Sequence, residues 1–400
     1  DESLRAADRA RDAAASRGAR LGVLEVLTAQ ARHVAAHALA PLLGSELAAA
    51  GAAVELAELD ATLGKVHAAL GDFPAARAAF TRAAEAARRQ GRPHAESFAL
   101  DYLSYVDLLS GDHDASLTHA TQAVDLAVAT VGEAHPMVAE RRIQLAEAMR
   151  VNGRVDDAIA ELDRSLRALA AAYGDGHRLV AWAAWTAGDA HSQLGHFDQA
   201  TTLYERALAI SRAVMGEDHP DTAECLARVG RMRIETGRAA EAIPLLDRAI
   251  EIHTAHSGAD AFLALRARAQ RGRALAATGS PDDALRELDA AIAGFRTATG
   301  DGDETQIALG LAAGLALDAG AWDRAIAYAT DALAIVERQG SRPDSQADLR
   351  FTLARALWAQ GRDRPRARTL ARAAHDQLAA LGPSYAPRLE AIATWLAARR

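Results

Sequence analysis

Three histidines stand 42 residues apart, His135, His177 and His219, each in a short polar segment between two apolar runs. Imidazole is a common metal ligand, so their spacing raises the question of a metal site. Such a site needs ligands converging on one ion. Equivalent segments in stacked helices stand roughly 10 Å apart, too far for one ion to span. The three histidines therefore read as loop-closing residues that start helices, with Pro136 and Pro220 at first helical positions. His191 and His196 flank a turn and read as surface residues. Cys225 is the single cysteine; Glu224 adjoins it, and no recognisable His with Asp or Asn completes a nucleophilic arrangement, so a packed thiol is expected. The run Gly300-Asp301-Gly302-Asp303 hints at a calcium loop but lacks the later Glu and the flanking spacing. No phosphate loop, serine-hydrolase elbow, HExxH, CxxC or kinase catalytic-loop pattern occurs. The expectation is no catalytic residue, no metal and no cofactor.

The elements that would position a site come next. Half of the 400 residues are hydrophobic but only 4% are aromatic, a mix that favours close-packed helices over sheets. A net charge of −8 argues against general binding to nucleic acid or anionic membranes. No apolar run is long enough to span a membrane. A single cysteine allows no intramolecular disulfide and fits a reducing, cytoplasmic setting. The chain opens at Asp1 without a signal-peptide pattern, which reads as a piece of a longer protein.

Punctuation along the chain is regular. Turn glycines stand at Gly71, Gly111, Gly153, Gly195, Gly237, Gly279, Gly320 and Gly361, spaced 40 to 42 residues apart. Each ends one helical run, as a left-handed helix cap requires. Seven residues before them lie Gly64, Ser104, Ala146, Gly188, Gly230, Gly272, Ala313 and Ala354, all small. Five after lie Ala76, Ser116, Ala158, Ala200, Ala242, Ala284 and Ala325, with Ala367 shifted by one residue in the last copy. A third small column, twelve after, runs from Ala83 to Ala332. Larger residues, among them Phe80, Leu162, Tyr204, Leu246, Leu288 and Leu370, sit nine after and are expected to fill the remaining space. Small residues at fixed offsets let paired helices approach closely.

The ends are less regular. Residues 1–17 read as a charged helix stopped by Gly18. Leu21 to Gln30 and Arg32 to Ala49 read as a degenerate repeat turning at Ala31, its second helix kinked at Pro41. Pro383 and Pro387 end the last repeat. Residues 388–399 then form an amphipathic cap with Leu389, Ile392, Trp395 and Leu396 on one face.

These columns resemble the tetratricopeptide repeat. The family's usual period is about 34 residues; the longer period here, with GEAHP (132–136) and GEDHP (216–220) loops, resembles the repeats of kinesin light chains and their bacterial relatives. The Ala- and Arg-rich style is similar to regions that follow the catalytic domain of some bacterial serine/threonine kinases. The resemblance implies an all-α fold: a right-handed α-solenoid of helix-turn-helix repeats. Residues 1–51 would be N-terminal helices, 52–382 an array of eight repeats, and 383–400 the capping helix.

In that family the first helix of each repeat lines a concave groove, at positions thirteen, ten, six, three and two before the turn glycine. Carried over, these give Glu58, Ala61 and Lys65; then Phe98, Asp101 and Tyr105; then Glu140, Ile143, Glu147 and Arg150. Next come Trp182, Trp185, Asp189 and Gln193, then Glu224, Arg231 and Glu235, then Arg266 and Arg273, and finally Asp348, Phe351, Arg355 and Trp358. Trp182 and Trp185 share a helix face and read equally as groove anchors or as packing between repeats. The arginines read foremost as a solvated face, and otherwise as forks for an acidic peptide. Peptide-binding relatives grip the ligand backbone with Asn, whereas this chain has one, Asn152, beside a turn. Side-chain-driven docking of a partner is therefore expected. The implied function is a non-catalytic scaffold for a partner protein or peptide, the regulatory part of a bacterial signalling protein such as a serine/threonine kinase. The alternative is a ligand-sensing module of a transcription regulator or ATPase.

Overall fold

The computed structural model describes residues 2–29, 33–70, 72–259, 261–339, 343–381 and 385–399. Among these residues the regular structure is helical and no strand occurs. They fall into two compact units, one ending at Gly216 and the other beginning at Glu217.

In the first unit, α1 (Glu2–Ala29) and α2 (His33–Ala49) precede a series of hairpins. These are α3 (Ala53–Ala69) with α4 (Phe73–Arg89), α5 (Pro93–Leu109) with α6 (His113–Val131), α7 (Pro136–Val151) with α8 (Val155–Tyr173), and α9 (Arg178–Gln193) with α10 (Phe197–Met215). The second unit pairs α11 (Pro220–Glu235) with α12 (Ala239–Ser257), α13 (Phe262–Ala277) with α14 (Pro281–Thr299), α15 (Asp303–Asp318) with α16 (Trp322–Gln339), and α17 (Pro343–Gln360) with α18 (Arg364–Leu381), then ends in α19 (Ala386–Ala397). Within each unit helices pack on their sequence neighbours, and the first helices of successive hairpins also touch, α3 to α5 to α7 to α9 and α11 to α13 to α15 to α17. Each unit is thus an α-solenoid in which an element meets only near neighbours.

The small columns explain the close approach. Ala76, Ser116, Ala158, Ala200, Ala242, Ala284, Ala325 and Ala367 are all 0% exposed. The helical glycines meet the large residues of the partner helix. A β-carbon added to Gly64 would lie 2.6 Å from the Phe80 ring, one on Gly188 2.6 Å from Tyr204, and one on Gly230 3.0 Å from Leu246. In the second hairpin, serines replace the pair of small residues, and Ser104 and Ser116 share a hydrogen bond of 3.1 Å. Polar groups are thereby satisfied where no apolar contact exists.

Helix ends follow from the same local chemistry. The described turn glycines from Gly111 to Gly361 have φ between 73° and 86°, the left-handed conformation that glycine adopts without a β-carbon clash; Gly71 lies outside the described residues. The histidines spaced 42 apart cap helices. Their Nδ1 atoms accept from the backbone N–H of Met137 at 3.2 Å, Leu179 at 3.3 Å and Asp221 at 3.1 Å. Each satisfies one of the four orphan donors at a helix start.

Two expectations for the N-terminus give way. Gly18 does not end a helix, and Leu21 does not begin one: α1 runs unbroken through both. Leu21 and Leu24 bury against Ala36, Ala40, Leu43 and Leu47 of α2, and this burial offsets the cost of a mid-helix glycine, about 1 kcal/mol. The proposed turn at Ala31 lies outside the described residues, and Pro41 does sit inside α2. At the other end, α19 lays Ile392, 2% exposed, with Leu389, Trp395 and Leu396 onto the core of the second unit, on the expected face. Pro383 lies outside the described residues.

Candidate functional site

The first helices of the hairpins form one face in each unit, and the expected site residues are distributed along it. In the first unit the face begins with an aromatic cluster. Phe98 and Tyr102 of α5 stand 4.8 Å apart, and Tyr102 stacks on Phe80 at 5.1 Å. Tyr102 falls outside the carried-over positions, yet its ring floors the cluster. Burial pushes its hydroxyl up to about 12, with the Asp101 charge adding to the effect. Lys65 of α3 places its Nζ 4.7 Å from the Phe98 centroid and 5.1 Å from that of Tyr102. Tyr105, one turn along, is 41% exposed.

Asp101 and Ile143, expected on the open face, are buried instead, at 6% and 0% exposure. The −10 position faces inward in these two helices, toward the adjoining repeat. Arg141, which the offsets missed, meets Asp101 there at 3.4 Å and Glu140 at 3.7 Å, with its Cζ 5.5 Å from the Phe98 centroid. Burial pushes the Asp101 carboxyl up to about 7, and Arg141 only partly counters it. Gln144, also missed, donates to Ser104 at 3.2 Å. A buried charge and amide carry no periodic signal, so their partners had to be seen in space.

Farther along, the fork of Arg150 is engaged. It binds Glu147 through two hydrogen bonds, at 2.6 and 2.9 Å, and donates to Gln193 at 2.9 Å. Burial opposes the charge of Arg150, but the Glu147 hydrogen bonds, with the Glu147 and Asp189 charges, outweigh it and hold the pKa above its ordinary value. Asp189 accepts a hydrogen bond of 2.6 Å from the Tyr204 hydroxyl. Trp182 and Trp185 are half-buried on α9 and stay outside the fully buried core. Asn152 donates to the carbonyls of His113 and Ala148, both at 2.9 Å, and so joins hairpins.

In the second unit Arg266 and Arg273 sit in ion pairs. Arg266 lies 3.5 Å from Glu304 and 4.0 Å from Glu224, while Glu224 is held by Arg228 at 2.5 Å. Burial alone would raise the Glu224 pKa; Arg228 and Arg266 overcome that and keep it low. Arg273 bonds Glu235 at 2.8 Å and Gln270 at 2.9 Å, and Arg231 is half-buried on α11. Phe351 and Trp358 depart from the expected groove. Each packs edge-on to Trp395 of α19, at 5.7 Å, because the last repeat needs an apolar cover and the terminal helix provides it. The expected residues thus divide into an α5–α9 face, a salt-bridged arginine row on α11 and α13, and a pair of rings under the cap.

Among the described residues no helix is long and apolar enough to cross a membrane, and no three His, Cys, Asp or Glu side chains are grouped to hold a metal.

No curated protein sequence matches the chain. Among solved structures, a Rap protein in complex with competence and sporulation factor superposes with a TM-score of 0.62 at 15% identity, over 96% of this chain and 99% of that one. The apo form of the quorum sensor NprR from B. thuringiensis gives 0.57 at 11% identity, over 90% and 98%. A putative kinesin light chain from Podospora anserina, with nearly identical TPR-like repeats, gives 0.41 at 20% identity, over 50% and 95%. The first two share the fold of this chain. The tetratricopeptide-repeat family matches residues 137–213 and 197–255. With helical hairpins, small columns and glycine turns already in place there, these repeats belong to the tetratricopeptide-repeat family.

Proposed function

We propose that this chain is a non-catalytic scaffold whose repeat array, residues 52–382, holds a partner protein or peptide on its first-helix face. The observation that carries this is the α5–α9 face, which keeps Phe98, Tyr105, Trp182 and Trp185 out of the fully buried core and sets them beside charged side chains. Aromatic residues partly exposed on a rigid surface are the usual anchors of protein interfaces. With one Asn in the chain, recognition runs through side chains rather than a backbone grip. In a longer protein the array serves as the regulatory part of a bacterial signalling protein such as a serine/threonine kinase. A ligand-sensing module of a transcription regulator or ATPase is the second reading, favoured by the likeness to a quorum sensor and to a Rap protein holding a signalling factor.

The test is partner recovery with the chain as bait, wild type against Trp182→Ala/Trp185→Ala. The double variant is expected to lose about tenfold or more of the captured partner. Equal recovery by a variant with unchanged helicity would remove the tryptophans from the interface. The sensor reading is separated by asking whether a short peptide binds the same face and alters the activity of the parent protein.

A further inference from the structure

In several hairpin turns the backbone ties together the residue one after the turn glycine and the residue four before it. The N–H of Asp72 bonds the carbonyl of His67, that of Asp112 bonds Asp107, and that of His196 bonds His191, each at 2.9 Å. This bond closes the helix-ending turn. It also holds the two side chains near each other, and the pairs are chemically matched. His67 stands 3.7 Å from Asp72. Asp107 and Asp112 are like charges, and Arg77 bridges them at 2.7 and 3.8 Å. Arg233 and Arg238 are like charges of the other sign, and Glu241 bridges them at 3.6 and 2.6 Å. Where the two residues are like-charged, an opposite charge joins them.

In the turn between α9 and α10 the pair is His191 and His196. Their Nδ1 atoms stand 3.4 Å apart and their ring centroids 5.6 Å. The rings therefore meet by their nitrogen edges and not by stacked faces. Two imidazole nitrogens are joined either by a shared proton or by a metal cation. Nitrogens bound to one tetrahedral ion at the usual zinc–imidazole length of about 2.0–2.1 Å lie about 3.4 Å apart, the spacing found here. Gly195, with φ of 76°, and the His196–His191 backbone bond set that spacing before any ion arrives. Burial, and then the charge on His196, holds the His191 pKa below its ordinary value, which favours the neutral ring that a metal requires. The Asp163 carboxylate of α8 acts the other way and draws positive charge toward His191.

We propose that His191 and His196 form a two-imidazole site for a divalent transition-metal ion of the zinc class, which joins this pair as Arg77 and Glu241 join theirs. The proton that one Nδ1 shares with the other moves to an Nε2, and water takes the two remaining positions of a tetrahedron. Imidazole selects such ions over magnesium and calcium, which prefer oxygen ligands. With two protein ligands, the site takes up an ion only when one is supplied, so a chelator alone leaves the melting temperature of the chain where it was. The site is independent of the partner-binding reading above.

The test titrates zinc chloride into the untagged, chelator-treated full chain, with magnesium chloride as the control. Calorimetry is expected to show saturable binding of zinc at one ion per chain. In ring-nitrogen NMR the Nδ1 signals of His191 and His196 should move together, and saturating zinc should raise the melting temperature. His191→Ala and His196→Ala are each expected to weaken binding by more than about tenfold with unchanged helicity. His113→Ala, on the exposed start of α6, should leave binding as it is. Equal zinc affinity in the double variant His191→Ala/His196→Ala overturns the proposal. So does binding that does not saturate, an equal response to magnesium, or Nδ1 signals that stay in place at saturation.

Discussion

The ring of Tyr204 fills the space that a β-carbon on Gly188 would occupy, with 2.6 Å between the built carbon and the ring. The same tyrosine donates its hydroxyl to Asp189 at 2.6 Å. One side chain thus closes the hairpin and anchors an acidic group of the candidate face. Gly188→Ala forces the ring or the helix to move and is expected to cost about 2 kcal/mol, within the usual range for overpacking. Tyr204→Phe keeps the packing and is expected to cost about 1.5 kcal/mol through the lost charge-assisted bond. Urea denaturation of both variants checks the order.

Helix capping by histidine predicts a modest and additive effect. His177→Ala removes the acceptor for the Leu179 N–H and is expected to lose about 1 kcal/mol, while His177→Asn, which can accept the same bond, loses less. The equivalent changes at His135 and His219 should add, since the three caps serve different helices. Thermal melts with and without a chelator separate capping from metal binding: a chelator should leave the wild-type melting temperature unchanged.

Burial raises the Asp101 carboxyl from 3.8 to about 7, against the partial pull of Arg141. The folded protein therefore binds this proton more tightly than the unfolded chain does. Between those two values the native state carries more protons at this site, so its contribution to stability falls as pH rises toward 7 and levels off above. The charged groups facing Asp101 are Arg141 and Glu140. Asp101→Asn should remove this slope. Urea midpoints of wild type and variant, measured from pH 4 to pH 8, should diverge in wild type's disfavour at the high end.

The terminal helix predicts a local loss of packing. Trp395 meets Phe351 and Trp358 edge-on and carries the Arg399 guanidinium 4.7 Å from its centroid. Trp395→Ala is expected to cost about 3 kcal/mol, since a large ring is lost from a partly buried site. Hydrogen exchange should rise first in α17 and α18, where the uncovered repeat lies. Faster exchange in α3–α10 instead would contradict this.

Much of the framework was legible in the residue order. The glycine spacing located the turns, the alanine columns located the contacts between paired helices, and Leu389, Ile392, Trp395 and Leu396 marked the covering face of α19. These features repeat, and they repeat because a single backbone geometry imposes the same steric demand on each copy. Asp101, Arg141, Phe351 and Trp358 were not legible in this way. Offsets in a repeat place a Cα on a helix face, but rotamer and neighbour decide whether a side chain meets solvent, a buried ion pair or a capping helix. The run through Gly18 follows the same rule: glycine permits a helix end, and only the burial of Leu21 and Leu24 against α2 decides that the helix continues. The sequence by itself determined the repeat, the helix pairing and the turns, because these depend on local sterics and periodic burial. Tertiary structure alone decided which polar groups pair, as Arg150 does with Glu147 and Gln193, and which rest on aromatic rings, as the Lys65 ammonium does on Phe98 and Tyr102, because electrostatic pairing depends on distances between residues far apart in the chain.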